Sequence, residues 1–164
     1  MLRLAGIGCV FLFCAVVGNN CARAFETEYK RICKVCDMLF DIKSCIGFEG
    51  MTLGEIIKHL QGNSEYDKLS FISCEYDEND LRYELLLSIE RTPVFINNEY
   101  NERLSRFFRL LGTTDKQTQL ELISGCITYF DGQAELLREQ LAVKKRLYNS
   151  LGIASGALVS IILL

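Results

Sequence analysis

No Asp, Glu, Lys or Arg follows Arg146, so the last stretch, Leu147 to Leu164, is a largely apolar run that begins directly after the basic cluster Lys144-Lys145-Arg146. At about 1.5 Å rise per residue such a run makes a helix of roughly 27 Å, enough for a ~30 Å hydrocarbon core once the basic side chains snorkel. It reads as a short membrane span. Gly152 and Gly156 within it are spaced G-x-x-x-G, and Ala154, Ser155 and Ala157 add small surface, so another helix backbone can approach closely in lipid. Gly152, Ser155 and Gly156 are therefore the candidates for packing between membrane helices.

A second apolar segment, Met1 to Cys21, carries Arg3 as its only charge. It suits either a membrane anchor or a secretory signal, since Ala22-Arg23-Ala24 imitates an A-x-A cleavage pattern. Cleavage there leaves Cys33, Cys36, Cys45, Cys74 and Cys126, an odd number that cannot pair completely in an oxidising compartment. Arg23, Lys30, Arg31 and Lys34 follow the first segment and Lys144, Lys145 and Arg146 precede the second, so both inner flanks favour the cytoplasm. The expected organisation is a membrane anchor over 1–22, a cytoplasmic helical domain over 23–147 and a second span over 148–164, with both termini outside. The competing organisation is a secreted or surface protein with a cleaved signal and a processed tail. It suffers because Asn149-Ser150-Leu151 runs straight into the tail without the polar spacer of about 8 to 12 residues that such processing requires.

Between the apolar ends the pattern is helical throughout. Ala22, Phe25, Tyr29, Ile32, Cys36, Leu39 and Ile46 follow steps of three and four, with only Lys43 out of character, a heptad-like seam along a long first helix. Gly47-Phe-Glu-Gly50 breaks it. Thr52 and Glu55 then form a capping-box pattern, with Gly62 as the stop of a short second helix. Asn63 or Ser64 caps a third helix carrying Tyr66, Leu69, Phe71 and Ile72, and the acidic stretch Glu75 to Asp80 is a solvated turn before a fourth, Leu81 to Ile89, which ends ahead of Pro93. Val94-Phe-Ile96 is too short to argue for a sheet. Asn97 or Asn98 caps a fifth helix that stops at Gly112, and Thr114 with Gln117 is spaced as a capping box for the last. That helix carries the most regular seam: Leu120, Ile123, Ile127, Phe130, Ala134, Leu137, Leu141 and Tyr148. The expected fold is all-α, an antiparallel bundle of about six helices whose first and last long helices cross at ~20° and continue into the spans. Gly125 and Gly132, each costing such a helix about 1 kcal/mol relative to Ala, mark close contacts or bends.

The stretch Leu110-Leu-Gly-Thr-Thr-Asp-Lys-Gln-Thr-Gln119, a long charged helix, and then Ser150-Leu-Gly-Ile-Ala-Ser-Gly156 running into an apolar terminus together resemble stage III sporulation protein AB of endospore-forming bacteria. Met1-Leu-Arg-Leu4 and Met51-Thr-Leu-Gly-Glu55 fit the same pattern, whereas 63–100 does so weakly and Tyr148 stands where the family leads one to expect Trp. The positions that carry the likeness are Leu111, Gly112, Asp115, Gln119, Ser150, Leu151 and Gly152. The resemblance implies a helical cytoplasmic domain similar to those of type II secretion platform proteins, in the mother-cell membrane around the forespore. It also implies a component without catalysis, whose partners are membrane lipid and other stage III complex proteins, among them a cytoplasmic ATPase.

Other chemistry is sparse. The mild excess of 21 acidic over 18 basic residues comes without a basic patch interleaved with aromatics, so nucleic acid is not an expected partner. Gly112 and its neighbours lack the Lys of a phosphate-binding loop. Cys33-x-x-Cys36 offers a redox or zinc alternative, with Cys45, Cys74, Cys126 or His59 as further ligands, but the pair falls in mid-helix where cysteine packs as a small hydrophobe. No catalytic, cofactor or metal residue is assigned, and no small-molecule substrate is expected.

Overall fold

The computed structural model describes residues 2–72 and 80–162, with side chains described throughout 23–72 and 80–141 and at scattered positions beyond. Five α-helices follow one another: α1 (Leu2–Ser44), α2 (Leu53–Gln61), α3 (Leu81–Arg91), α4 (Asn98–Leu110) and α5 (Lys116–Ile162). A π turn, Cys45–Glu49, closes α1, a 3-10 turn, Ser64–Tyr66, follows α2, and there is no strand among the described residues. The all-α class holds, with five α-helices among the described residues against the six or so expected. The difference is the third expected helix. After Ser64–Tyr66 the chain makes further i→i+3 turns, Leu69 N–H to Tyr66 O and Ile72 N–H to Leu69 O, both 2.8 Å. Its anchors point to α1, where the Tyr66 hydroxyl donates to the Asp41 carboxylate and the Lys34 ammonium meets Glu65 at 2.8 Å and also lies over the Tyr66 ring. Those tertiary contacts set a tighter winding than the local apolar spacing suggests. The acidic stretch lies outside the described residues except Asp80, which precedes α3 without a side-chain cap bond.

The chain forms two compact units, Arg31–Gln133 and a second made of Met1–Lys30 with Ala134–Leu164. In the first, α1 buries Ile32, Val35, Cys36, Met38, Leu39 and Ile42, a stripe wider than a two-in-seven seam because the 3-10 turn and its neighbours cover α1 as well as α5. Gly47 at the end of α1 lies against Leu120 of α5, while the Asp131 carboxylate, further along α5, acts on Cys36 further back in α1, so the two run antiparallel. From α5, Ile123, Ile127 and Phe130 are buried as the seam requires. Phe130 stacks on Phe95 with ring centroids 5.6 Å apart and meets Tyr100 edge-on. The exchange continues with Tyr100 Oη donating to Gln133 and Tyr129 Oη donating to Glu99, while Gly112, just past α4, bonds Gln119 near the start of α5, so α4 lies antiparallel on α5. Between α3 and α4, Asn101 is buried and holds the linker by accepting from Phe95 N–H at 3.0 Å and donating to Phe95 O at 2.8 Å. Gly125 and Gly132 face open space, with nothing within 4 Å of an added Cβ, so they mark no close contact.

The second unit holds the remaining lengths of α1 and α5, paired where the Lys144 ammonium lies 4.3 Å over the Phe25 ring. Leu136, Val143, Leu147 and Leu151 of α5 are exposed there. Among the described residues no helix is long and apolar enough to cross a membrane. The side chains of 2–15 and of 155–160, which make up much of the two apolar runs, lie outside that description.

Candidate functional site

Seven positions carry the family-like motif, and the structure brings four of them together at one corner. Leu111 ends α4 fully buried, and its N–H still reaches Phe107 O at 3.0 Å. Gly112 turns the chain with φ +75°, the left-handed region that other residues enter only at a cost. Its N–H donates to Gln119 Oε1 at 3.2 Å, and Gln119 Nε2 donates back to Thr114 O at 2.7 Å, so one side chain of α5 holds both sides of the loop. Asp115 caps α5: its carboxylate accepts from Thr118 N–H at 3.0 Å and from the Thr118 hydroxyl at 2.7 Å, and these bonds hold its pKa below the usual carboxylate range. This corrects the expected Thr114–Gln117 box. A carboxylate one residue later reaches the free amide at the third helical position, and anionic charge suits a helix amino terminus.

Two residues that sequence reasoning passed over complete the corner. Arg82 of α3 donates from Nη2 to Leu111 O at 3.0 Å, and Lys116 donates from Nζ to Gly47 O at 2.8 Å, tying the start of α5 to the end of α1. A Cβ on Gly112 would sit 3.4 Å from Arg82 Nη2 and 3.7 Å from Leu53 Cβ, so the corner is packed from α2 and α3 too. No local signal marks Arg82, because its partner is a main-chain carbonyl twenty-nine positions away. The side chains of Asp115 and Gln119 are both engaged within the chain. The corner is a lock that fixes where α5 begins and in which direction it leaves.

The other three motif positions are on α5. Ser150 and Leu151 are exposed, whereas Gly152, with the packing candidates Ser155 and Gly156, has its surroundings outside the described residues.

Three of the four cysteines whose side chains are described, Cys36, Cys45 and Cys126, are buried. Cys36 is buried in the middle of α1, and desolvation, aided by Asp131, pushes its thiol up to about 12. Burial likewise raises the Cys45 and Cys126 thiols, so none is a ready thiolate. His59 is exposed on α2, Cys74 lies outside the described residues, and among the described residues no group of three or more His, Cys, Asp or Glu is placed to hold a metal. One surface feature remains unspent, a cleft between α3 and α4 bordered by Arg106 and Arg109.

Compared with known proteins, residues 3–164 match the family model described as stage III sporulation protein AB. No curated protein and no solved structure matches the chain.

Proposed function

Because the chain belongs to the stage III sporulation protein AB family, we propose that it is a non-catalytic platform of the complex joining mother cell and forespore, linking a cytoplasmic ATPase to membrane channel proteins. Membership itself gives the coarser statement, a part in stage III of sporulation. The observation that carries the finer one is helix continuity. α1 and α5, of 43 and 47 residues, each run without interruption between the unit Arg31–Gln133 and one of the two apolar ends. Two such helices would hold a helical unit at a membrane from both ends, and the corner around Gly112 sets where the second begins.

In this reading residues 1–22 and 148–164 insert in the mother-cell membrane around the forespore, and both termini lie outside. The insertion rests on the apolar sequence of the two runs and their basic inner flanks. Among the described residues Cys33, Cys36, Cys45 and Cys126 are free, which suits a reducing cytoplasm. Gly152, Ser155 and Gly156 would meet a partner helix in lipid, and Gly152→Leu is expected to reduce recovery of membrane partners while leaving the helical unit folded.

The test is topology in sporulating cells. A cysteine introduced as Gln140→Cys, at an exposed point of α5, should react with a membrane-impermeant maleimide only after the cytoplasm is opened. Labelling in intact cells at the level of permeabilised ones would refute the placement.

A further inference from the structure

The cleft between α3 and α4 encloses about 360 Å³ and draws its lining from both helices and the linker, including Ile89, Pro93, Glu90 and Glu102 beside Arg106 and Arg109. Several charges nearby are already committed. Glu102 accepts from Asn98, Arg103 lies 4.2 Å over the Tyr129 ring, and Glu99 accepts from the Tyr129 hydroxyl. Arg106 and Arg109 are exposed, and no ion pair among the described residues engages either guanidinium. In a chain of net charge −3, two exposed guanidiniums three residues apart on one helix form a paired cationic group, set in a lining that also carries Glu90 and Glu102.

We propose that this cleft docks a carboxylate-bearing segment of a cytoplasmic partner protein, with Arg106 and Arg109 as the paired recognition groups. The inference rests on the platform reading for there being a cytoplasmic partner, and it adds where that partner sits and what chemistry it presents. Side chains three apart on a helix stand ~5–6 Å from each other. Two Asp or Glu side chains at i and i+2 of an extended segment, or at i and i+3 of a helix, match that spacing, and each can take a guanidinium through two parallel hydrogen bonds. Ile89 and Pro93 give the cleft an apolar floor for a neighbouring side chain. The acidic residues in the same wall select against other anions. Glu90 and Glu102 repel a compact phosphate or a lipid headgroup, which brings only negative charge, whereas a polypeptide can set a basic residue against them.

The experiment uses the full chain in a spore-forming bacterium that lacks its own copy. A photo-crosslinking amino acid replaces Asn98, an exposed residue at the cleft, in one strain and Phe48, a 90% exposed residue of the π turn, in another, and the crosslinked peptides are sequenced. From the Asn98 position the expected adduct is a peptide of another protein carrying two Asp or Glu at one of those spacings. The adduct should fall at least tenfold when Arg106→Glu and Arg109→Glu are combined, and return when the two acidic residues of the identified peptide are changed to Lys. The reversed chain should melt within a few degrees of the parent, since neither arginine is in an ion pair among the described residues. An adduct unchanged by the reversal, one on lipid, or one on a second copy of this chain overturns the proposal. Protein adducts from the Phe48 position with none from Asn98 overturn the cleft and leave the platform reading standing. No protein adduct from either position counts against both.

Discussion

Phe130→Ala probes the packing of α4 and the preceding linker on α5. Phe130 is fully buried, stacked on Phe95 at 5.6 Å and edge-on to Tyr100 at 6.3 Å. Truncating a buried Phe to Ala costs about 3–5 kcal/mol through lost transfer energy and the cavity left behind, and two aromatic partners place this site towards the upper end. About 4 kcal/mol corresponds to a fall of roughly 10–20 °C in melting temperature for a unit of this size. The assay is a thermal melt of the full chain in detergent, followed by near-ultraviolet circular dichroism, with the exposed substitution Thr128→Ala as the control expected to stay within about 0.5 kcal/mol. A loss below about 1.5 kcal/mol from Phe130→Ala, with the aromatic signal intact, would refute the packing of Phe95 and Tyr100 on α5.

Other outcomes follow from the same coordinates. Gly112→Ala forces a left-handed φ of +75° on a residue with a Cβ, 3.4 Å from Arg82, and should cost about 1–2 kcal/mol in a denaturant melt. Gly125→Ala and Gly132→Ala meet open space inside a helix, and each should raise stability by about 1 kcal/mol; a loss would mean that something covers that face. The carboxylates of Glu55, Glu65 and Asp115 are held below their ordinary range by Thr52, by Lys34 and by Thr118 respectively. A depressed folded pKa gives stability that is present above the unfolded value of about 4 and lost as pH falls through the folded one, so melting temperature should drop below about pH 4. The Cys36 thiol, pushed up to about 12, works in the opposite direction: its contribution is complete below its unfolded value of about 8.5 and is lost as pH rises towards 12. A melting temperature constant from pH 7 to 2 would contradict the acid limb.

What the sequence made legible was whatever is decided within one helical turn or by a period. The Thr52–Glu55 box forms as written, with Thr52 N–H donating to Glu55 at 2.7 Å, and Asn97 caps α4 through Glu99 N–H. α3 stops at Arg91, ahead of Pro93, and Gly112 takes the left-handed turn that ends α4. The seam residues Ile32, Cys36, Leu39, Ile123, Ile127 and Phe130 are all buried. What escaped depends on partners far along the chain. Tyr66 and Glu65 are drawn to Asp41 and Lys34, which turns an expected helix into short turns, and Arg82 serves a carbonyl of a helix that its own neighbourhood does not reveal. The Thr114–Gln117 box lost to Asp115, since adjacent residues cannot both cap the helix and a carboxylate binds the Thr118 amide and hydroxyl more strongly than a threonine hydroxyl binds an amide. Leu111, Gly112, Asp115 and Gln119 were legible as a motif, yet their convergence on one corner needed the coordinates.

The most direct test of the platform claim is where the cytoplasmic ATPase proposed as its partner resides. In sporulating cells the ATPase is quantified in the membrane fraction with the full chain present, with the chain deleted, and with Arg106→Glu and Arg109→Glu combined. The expected result is loss of the ATPase from the membrane fraction, with blocked forespore development, when the chain is deleted. An ATPase that stays in the membrane fraction, beside normal forespore development, after deletion would contradict the account.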